Sequence, residues 1–291
     1  MAQQGNGTIQ SVQRALALLS LFTPAKPVWA VGDLARATGL HKSVVTRLMA
    51  TMARQGFVVQ DTVTRAYSVG PQAFAVGSVY EPYHVLHQVT RPLMDELTLR
   101  SGHSTCLGVP AGQRFMIVDT LEGNNQLRVA FEIGERPHYH SAAIGKVLLA
   151  GMTDEQVCEI VGDDSFPAIT KHSITELDAL RAELTRIRAS GYALSDQESI
   201  IGVGAVAAPL TNAHGSTVAG ISVVYPSHLT PETEIEALIE LIKEYAVRAS
   251  ERIGVLALPQ HISQMPRPRR DATGHMSPHS YRSSFRPETG Y

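Results

Sequence analysis

At 291 residues the chain is longer than a typical single domain and suits two. Its hydrophobic fraction of 44% and charged fraction of 18% are typical of a globular protein in water. No apolar run approaches the roughly 20 residues of a membrane span, and the N-terminus lacks the pattern of a signal peptide. Cys106 and Cys158 provide neither a disulfide framework nor a zinc-binding spacing. We therefore expect a cytoplasmic protein with no membrane partner.

The formal net charge of −2 hides an uneven distribution along the chain. Residues 1–80 carry seven Lys or Arg against two Asp or Glu, whereas residues 81–258 carry 13 against 23. The tail from residue 259 is basic again, with five against two. A basic N-terminal domain on an acidic body favours contact with a polyanion at one end of the molecule.

Residues 1–8 are polar, and we expect them to be disordered. The first predicted element is an amphipathic helix over Ser11–Phe22, with Ser11 as its N-cap. Pro24 and Pro27 should end it.

The segment Val31–Phe57 has the pattern of two short amphipathic helices joined by a tight turn. Gly39 supplies the backbone freedom for the turn, and Leu40 fills it. Val45, Leu48 and Met49 then recur at helical spacing on the second helix. This is the arrangement of a helix-turn-helix, whose second helix enters the major groove of DNA.

Two short alternating segments follow, Phe57–Gln60 and Ala66–Val69, on either side of a turn at residues 61–65. They predict a β-hairpin. A helix, a helix-turn-helix and a hairpin together make a winged helix, with the hairpin as its wing.

The polar side chains at the start of the second helix are of the types that read base edges or bind phosphates. We expect Arg47 to read guanine, and Lys42 and Ser43 to contact phosphates. Arg14 and Arg65 are candidate clamps on the DNA backbone. The full predicted DNA-binding set is Arg14, His41, Lys42, Ser43, Thr46, Arg47, Thr64 and Arg65. A dimer of such domains predicts a roughly palindromic operator. The structural alternative for these residues is a solvated helix face.

The second half of the chain predicts alternating helices and strands. Pro71 to about Leu99 is helical in pattern with interruptions near Pro82 and Pro92. The expected strands are Thr105–Val109, Phe115–Thr120, Gln126–Phe131, Val203–Leu210 and Ser216–Val224. The expected helices are Gly145–Ala150, Thr153–Val161, Thr175–Ser190 and one from the cap Thr230-Pro231 to about Ile253. This mixture predicts an α+β domain on a largely antiparallel sheet.

The order of these motifs resembles that of the IclR (isocitrate lyase regulator) family of bacterial transcription factors. The resemblance is carried by SVQRALALLSLF, LARATGLHKSVVTRLMATMARQGFV and YSVG in the first half, and by HYHSAAIGKVLLA, GYALSDQES, GVGAVAAP and AGISVVYP in the second. It covers roughly residues 9–255. The tail beyond Pro259 has no counterpart in the family and its composition predicts disorder.

The resemblance implies a winged helix-turn-helix followed by a GAF-like effector-binding domain. It also implies homodimers that often pair into homotetramers, and repression or activation controlled by a small molecule. We accordingly divide the chain into a disordered N-terminus at 1–8, a DNA-binding domain at 9–72, a linker helix at 73–88, an effector-binding domain at 89–257 and a disordered tail at 258–291. No cofactor, metal or catalytic residue is expected.

The resemblance further implies an effector pocket built from three segments. The residues of this chain at those positions are Ala142, Ala143, Ile144, Ser195, Val203, Ala205, Ser222 and Val224. Members that recognise 2-oxo acids such as glyoxylate or pyruvate place an Asp, a Cys and two Ser there. This chain instead has Ser195 for the Asp, Ala205 for the Cys, and Val224 for one Ser. A small oxo acid needs several polar partners, because an unpaired buried carboxylate is costly. The apolar lining favours a larger, flatter ligand such as an aromatic acid.

The expected function is therefore a ligand-responsive regulator of a catabolic operon, as a repressor responding to a small organic acid. The alternative is an activator that responds to a 2-oxo acid.

A more remote alternative is a metal-dependent or hydrolytic enzyme. The pairs His84/His87 and His138/His140 lack an acidic or Cys partner at a characteristic spacing, and we expect surface or capping histidines there. His103 with Ser104, or Cys106 with a histidine, lacks the context of a nucleophile. Gly145-Lys146 is not a phosphate loop, and Lys146 is expected on the surface, opening a helix.

Overall fold

The computed structural model describes residues 9–23, 26–79, 81–124, 131–162 and 166–255. The segments expected to be disordered, 1–8 and 258–291, lie outside these residues, as does most of the expected strand Gln126–Phe131. Within the described ranges, no helix is both long enough and apolar enough to cross a membrane.

The N-terminal part is a winged helix, as the sequence predicts. Its helices and strands alternate along the chain as α1 (Gln10–Leu19), β1 (Val28–Trp29), α2 (Val31–Thr38), α3 (Lys42–Arg54), β2 (Val58–Gln60) and β3 (Tyr67–Val69). The three strands form an antiparallel sheet in the order β1-β3-β2. The two-residue β1 is not among the predicted elements, because two residues carry no readable alternation.

The tight turn of the helix-turn-helix depends on Gly39, which has a left-handed φ of +68° and ends α2. Leu34, Val45 and Met49 are fully buried where the helices cross. The prediction that Ser11 caps α1 is wrong, since Ile9 holds the N-cap position and no side chain caps the helix.

Two helices lead from the winged helix into the second domain: α4 (Pro71–Gly77) and α5 (Glu81–Ser101). The predicted interruption near Pro82 falls between them, but the one near Pro92 is wrong because α5 continues through Pro92. Leu86, Leu93 and Leu97 are buried against the sheet of the second domain, and this packing outweighs the backbone hydrogen bond that a proline removes.

The second domain has an antiparallel five-stranded sheet, which confirms the α+β expectation. Its strands are β4 (Ser104–Ala111), β5 (Arg114–Leu121), β6 (Ala193–Asp196), β7 (Val203–Thr211) and β8 (Thr217–Pro226), in the order β5-β4-β8-β7-β6. Its further helices are α6 (Ala143–Ala150), α7 (Asp154–Val161), α8 (Leu177–Ser190) and α9 (Glu232–Val255). Helices α5 and α9 contribute to the core on one face of the sheet, and α6, α7 and α8 to the core on the other.

Close packing of α6 on the sheet requires glycine at three positions. A Cβ on Gly108 or Gly220 would lie 2.8 Å from Ile144 or 2.9 Å from Val147, both on α6. A Cβ on Gly145 would lie 2.2 Å from the carbonyl oxygen of Tyr139. The glycines therefore let the start of this helix lie deep in the domain, beside the cavity described below.

Candidate functional sites: a recognition helix and an apolar cavity

The exposed face of α3 carries four of the eight predicted DNA-binding side chains. Lys42, Ser43, Thr46 and Arg47 are all exposed, while the buried face of the same helix holds the domain core. Thr46 donates its hydroxyl to the carbonyl of Lys42 at 2.9 Å. The cationic side chains of α3 are therefore presented to solvent on a helix whose other face is fixed by packing.

His41 differs from its predicted position in the first turn of this helix, since it is the N-cap residue. Its Nδ1 accepts from the backbone N–H of Ser43 at 3.4 Å and lies 2.8 Å from the Ser43 hydroxyl. The imidazole satisfies part of the helix N-terminus, which a Ser or Asp more often does. His41 and Ser43 therefore orient the first turn of α3.

The wing is a compact turn organised by Asp61. One carboxylate oxygen accepts from the backbone N–H groups of Val63 (3.0 Å) and Thr64 (2.6 Å) and from the Thr64 hydroxyl (2.8 Å). These bonds lower the pKa of Asp61. Arg65 adopts a left-handed φ of +59° and is exposed. Of the two wing residues in the predicted set, Arg65 is free to reach DNA, and Thr64 holds the turn.

Arg14 is half-buried on α1 and is therefore less available than the other candidates.

All eight predicted effector-binding residues line one cavity in the second domain. The cavity lies between α6 and the sheet and is partly open to solvent. Among the residues that the structure describes, seven more line the cavity that the sequence did not indicate, namely Cys106, Phe115, Ile117, Phe131, Pro137, Ser199 and Ile200. Cys106, Phe115 and Ile117 lie on strands β4 and β5, which are buried on both faces along much of their length, so the sequence pattern does not show which face borders a space.

The N-terminus of α6 forms one end of the cavity. Ala143 and Ile144, the first two residues of the helix, line the cavity, and the N-cap Ala142 provides no side-chain hydrogen bond. The first turn also contains no acidic residue. Backbone N–H groups in a first turn have no partner within the helix and carry a partial positive charge, so this end suits a carboxylate.

Few polar side chains of the cavity are free. The hydroxyls of Ser195 and Ser199 both donate to the carbonyl of Ser141, at 3.2 and 2.9 Å. Cys106 is fully buried, and burial raises its pKa to about 12, so it remains an uncharged thiol. Ser222 pairs with Cys106 across strands β8 and β4. The rest of the lining is predominantly aliphatic and aromatic.

Lys146 is not the surface residue that the sequence predicts. It is 1% exposed, and its Nζ lies 2.7 Å from Oε1 of Glu198 and 3.2 Å from Oε1 of Glu183. The prediction failed because the two carboxylates that allow a buried lysine lie 37 and 52 residues away in sequence.

The prediction of surface or capping histidines is wrong for His140, whereas His138 is half-buried. His140 is 2% exposed, with Nε2 3.1 Å from the carbonyl of Pro167. Partial burial, together with Arg114 and His140, lowers the pKa of His138 to about 4. Among the residues that the structure describes, no three His, Cys, Asp or Glu side chains are grouped to hold a metal.

His103 and Ser104 do not form a nucleophile and base. His103 Nε2 lies 2.8 Å from Oε1 of Glu234, and the hydroxyl of Ser104 accepts from the backbone of Gly123 at 3.1 Å.

Comparison with known families agrees with this two-part architecture. The model described as "IclR helix-turn-helix domain" matches residues 11–62, and the one described as "Bacterial transcriptional regulator IclR C-terminal" matches residues 81–251. The chain belongs to the IclR family. It is a DNA-binding transcriptional regulator, and the characterised members it resembles are regulators rather than enzymes.

Several IclR-family proteins are similar over most of their length. The regulator BhcR of Paracoccus denitrificans is 29% identical over 84% of this chain and 88% of its own. The repressor AllR of Escherichia coli K12 is 26% identical over 89% and 94%. The repressor IclR of the same strain is 29% identical over 80% and 87%.

Two crystal structures show the same fold. An IclR-type regulator from Silicibacter sp. TM1040 is 25% identical and superposes with a TM-score of 0.72 over 86% of this chain and 98% of its own. An IclR homologue from Microbacterium hydrocarbonoxydans, solved in complex with 4-hydroxybenzoate, is 21% identical with a TM-score of 0.71 over 84% and 99%.

Proposed function

We propose that this protein is a repressor of a catabolic operon that binds a palindromic operator as a dimer or tetramer and responds to an aromatic acid. It would act in the cytoplasm, with residues 9–72 as the DNA-binding domain, 73–88 as linker and 89–257 as the effector-binding domain. The observation that carries the proposal is the cavity itself, because it is apolar along its walls and has a helix N-terminus at one end.

The DNA side of the proposal rests on α3 and the wing. Lys42 and Arg47 are exposed on a helix held by a buried core, and Arg65 is exposed on the wing. An arginine on a recognition helix can bind a guanine through two hydrogen bonds, whereas a lysine contacts phosphate as a point charge. Repression is favoured because AllR and IclR, two of the relatives, are repressors by name.

A dimer requires a surface that a second copy can cover. At the N-cap of α1 and on the helix itself, Ile9, Val12 and Leu16 are 51–67% exposed, and on α4 Phe74 is 79% exposed. Exposed apolar side chains on neighbouring turns of a helix are typical of an interface. A second copy at these helices would place two recognition helices on one operator.

The ligand class follows from the cavity lining. A carboxylate can bind the free N–H groups of the first turn of α6, and an aromatic ring can pack between Phe115, Ile117 and Val224. A glyoxylate or pyruvate ligand would find few free polar groups, since Ser195 and Ser199 already bond to Ser141. The IclR homologue from Microbacterium hydrocarbonoxydans, which has the same fold and was solved in complex with 4-hydroxybenzoate, supports an aromatic acid as the ligand class.

A mobility-shift titration on the DNA upstream of the protein's own gene tests this function. We expect a specific shift whose affinity falls steeply with salt, since Lys and Arg contacts release counterions. Adding 4-hydroxybenzoate or benzoate should weaken the shift, whereas glyoxylate should not. Equal shifts with a scrambled DNA of the same composition would contradict operator recognition, and a benzoate that strengthens the shift would contradict repression relieved by ligand.

A further inference from the structure

One wall of the cavity is a loop rather than a strand or helix. Residues 197–202, here called the cavity-wall loop, connect β6 to β7, and two of them, Ser199 and Ile200, line the cavity. Ile200 and the neighbouring Ile201 are 43% and 55% exposed. The loop therefore separates the cavity from solvent.

A buried ion pair joins this loop to helix α6. Glu198 belongs to the loop, and its Oε1 lies 2.7 Å from Nζ of Lys146 on α6. Lys146 follows within one turn of Ala143 and Ile144, which line the cavity from α6. The pair therefore joins two segments that both border the cavity.

Other contacts hold the loop from its outer side. The hydroxyl of Ser173 donates to the carbonyl of Glu198 at 2.7 Å, and that of Thr170 donates to the carbonyl of Gln197 at 2.7 Å. Ser199 donates to the carbonyl of Ser141 at 2.9 Å, next to α6. These three contacts are neutral hydrogen bonds, whereas the Lys146–Glu198 contact is an ion pair and reaches α6 itself.

Three features indicate that the Lys146–Glu198 pair and its loop are unfavourable in free energy. Burial raises the pKa of Glu198 even though Lys146 opposes that shift. Oε2 of Glu198 is buried and has no hydrogen-bond partner among the residues that the structure describes. Gln197 adopts a left-handed φ of +58°, which is unfavourable for a residue with a side chain. A buried ion pair with an unsatisfied oxygen contributes little net stability, so its effect must be sought in the geometry that it enforces.

We propose that Lys146 and Glu198 are a positioning pair that sets the width of the cavity by holding the cavity-wall loop against α6. The inference rests on the proposed function in treating the cavity as the ligand site. Neither residue touches the ligand in this account, because neither lines the cavity. The pair acts through Ser199 and Ile200 on one side and through Ala143 and Ile144 on the other.

The test removes both charges together, with Lys146→Met and Glu198→Gln in one protein. Removing Lys146 alone would leave a buried carboxylate unpaired, whereas the double variant leaves none, since Glu183 keeps two hydrogen bonds of 2.8 Å to Arg186. The matched control is Arg248→Met with Glu96→Gln, a 2.8 Å ion pair between α9 and α5 in the same domain that does not line the cavity.

The first measurement needs no ligand. Hydrogen–deuterium exchange of the full-length ligand-free protein should show about tenfold faster exchange at residues 197–203 in the double variant, with α6 and α8 unchanged. The control variant should match the wild type throughout. Unchanged exchange in the loop would overturn the proposal. Equal acceleration in the loop, α6 and α8 would also overturn it, since that would indicate a merely structural role.

The second measurement is benzoate binding by calorimetry and stopped flow. The double variant should bind benzoate about tenfold more weakly, with the change in the dissociation rate, while the control binds it normally. Equal benzoate affinity in wild type and double variant would overturn the proposal. If the wild type binds no benzoate, the proposed ligand class fails, and the exchange measurement alone then decides the positioning role.

Discussion

The recognition helix and the cavity use the same kinds of residue in opposite ways. On α3 the polar side chains are exposed and the apolar ones form a rigid base beneath them. In the cavity the apolar side chains line the space. The hydroxyls of Ser195 on β6 and Ser199 in the cavity-wall loop donate to the carbonyl of Ser141. Under the proposed function, DNA would be recognised by charge and hydrogen bonds, and the small molecule by shape and by the N-terminus of α6.

The two regions therefore differ in what determines their binding specificity. Exchange of one exposed side chain on α3 should alter base recognition and leave folding intact. In the proposed effector cavity, ligand choice would depend on how closely α6 and the sheet approach, so that the same residues would serve both packing and binding. Substitutions there should change stability and ligand affinity together.

Gly145→Ala should have the largest effect, because its Cβ would meet the backbone of Tyr139 at 2.2 Å and neither backbone can move freely. We expect a loss of about 3 kcal/mol in the free energy of unfolding of the second domain, measured by urea denaturation. Gly77→Ala is the control, since nothing lies within 4 Å of its added Cβ. A Gly145→Ala protein as stable as this control would contradict the close approach of α6.

Arg47→Ala should cost about 2 kcal/mol in discrimination between the operator and a site with one altered guanine, with an unchanged melting temperature. The measurement is a fluorescence anisotropy titration with both DNA duplexes. Arg54→Ala, an exposed residue in the last turn of the same helix, should reduce affinity for both duplexes by the same small factor. If Arg47→Ala behaves in the same way, Arg47 does not read bases.

Val224→Ser should weaken binding of benzoate by about tenfold, which corresponds to about 1.4 kcal/mol, because it replaces apolar wall by a hydroxyl. Val223→Ser on the same strand is the control, since Val223 is buried in the core on the opposite face of the sheet. Both variants should lose stability, but only the first should lose affinity. Calorimetry of each variant with benzoate gives the comparison.

His138→Gln should have the smallest effect, and it should appear only in acid. The pKa of His138 is about 4 in the folded protein, whereas an unfolded histidine titrates near 6.5. Between these values the unfolded chain binds a proton that the folded chain does not, so acid destabilises the wild type. After allowing for partial exposure, the variant should gain about 1 kcal/mol relative to wild type between pH 6.5 and 4.

Urea denaturation at pH 7.5 and pH 4.5 measures this difference. The exposed His214→Gln should show no such gain. A wild type and a His138→Gln variant with parallel pH profiles would show that His138 is not held neutral by its surroundings.

The winged helix could be predicted almost completely, because its signals are local. Gly39, the apolar spacing of α3 and the short alternating strands all lie within one stretch of some forty residues. The second domain could be predicted in outline, but β6 was missed because its four residues, Ala193–Asp196, are too few to show alternation. Pro92 misled the helix prediction, because tertiary packing of α5 determines its continuity.

The cavity could be predicted in part from the sequence. Its eight predicted residues followed from the family resemblance, and the structure brings them together. Cys106, Phe115 and Ile117 could not be placed beside them, because they come from strands more than 70 residues from β6. The carboxylates of Glu183 and Glu198 could not be placed beside Lys146 either, because they lie 37 and 52 residues away in sequence.

Calorimetric titration of the full-length protein with benzoate, 4-hydroxybenzoate, glyoxylate and pyruvate tests whether the cavity selects aromatic acids over small oxo acids. The apolar cavity with a helix N-terminus at one end should bind the aromatic acids with a negative heat-capacity change, and the two oxo acids should give no binding heat. Binding of glyoxylate or pyruvate together with no binding of either benzoate would contradict the account.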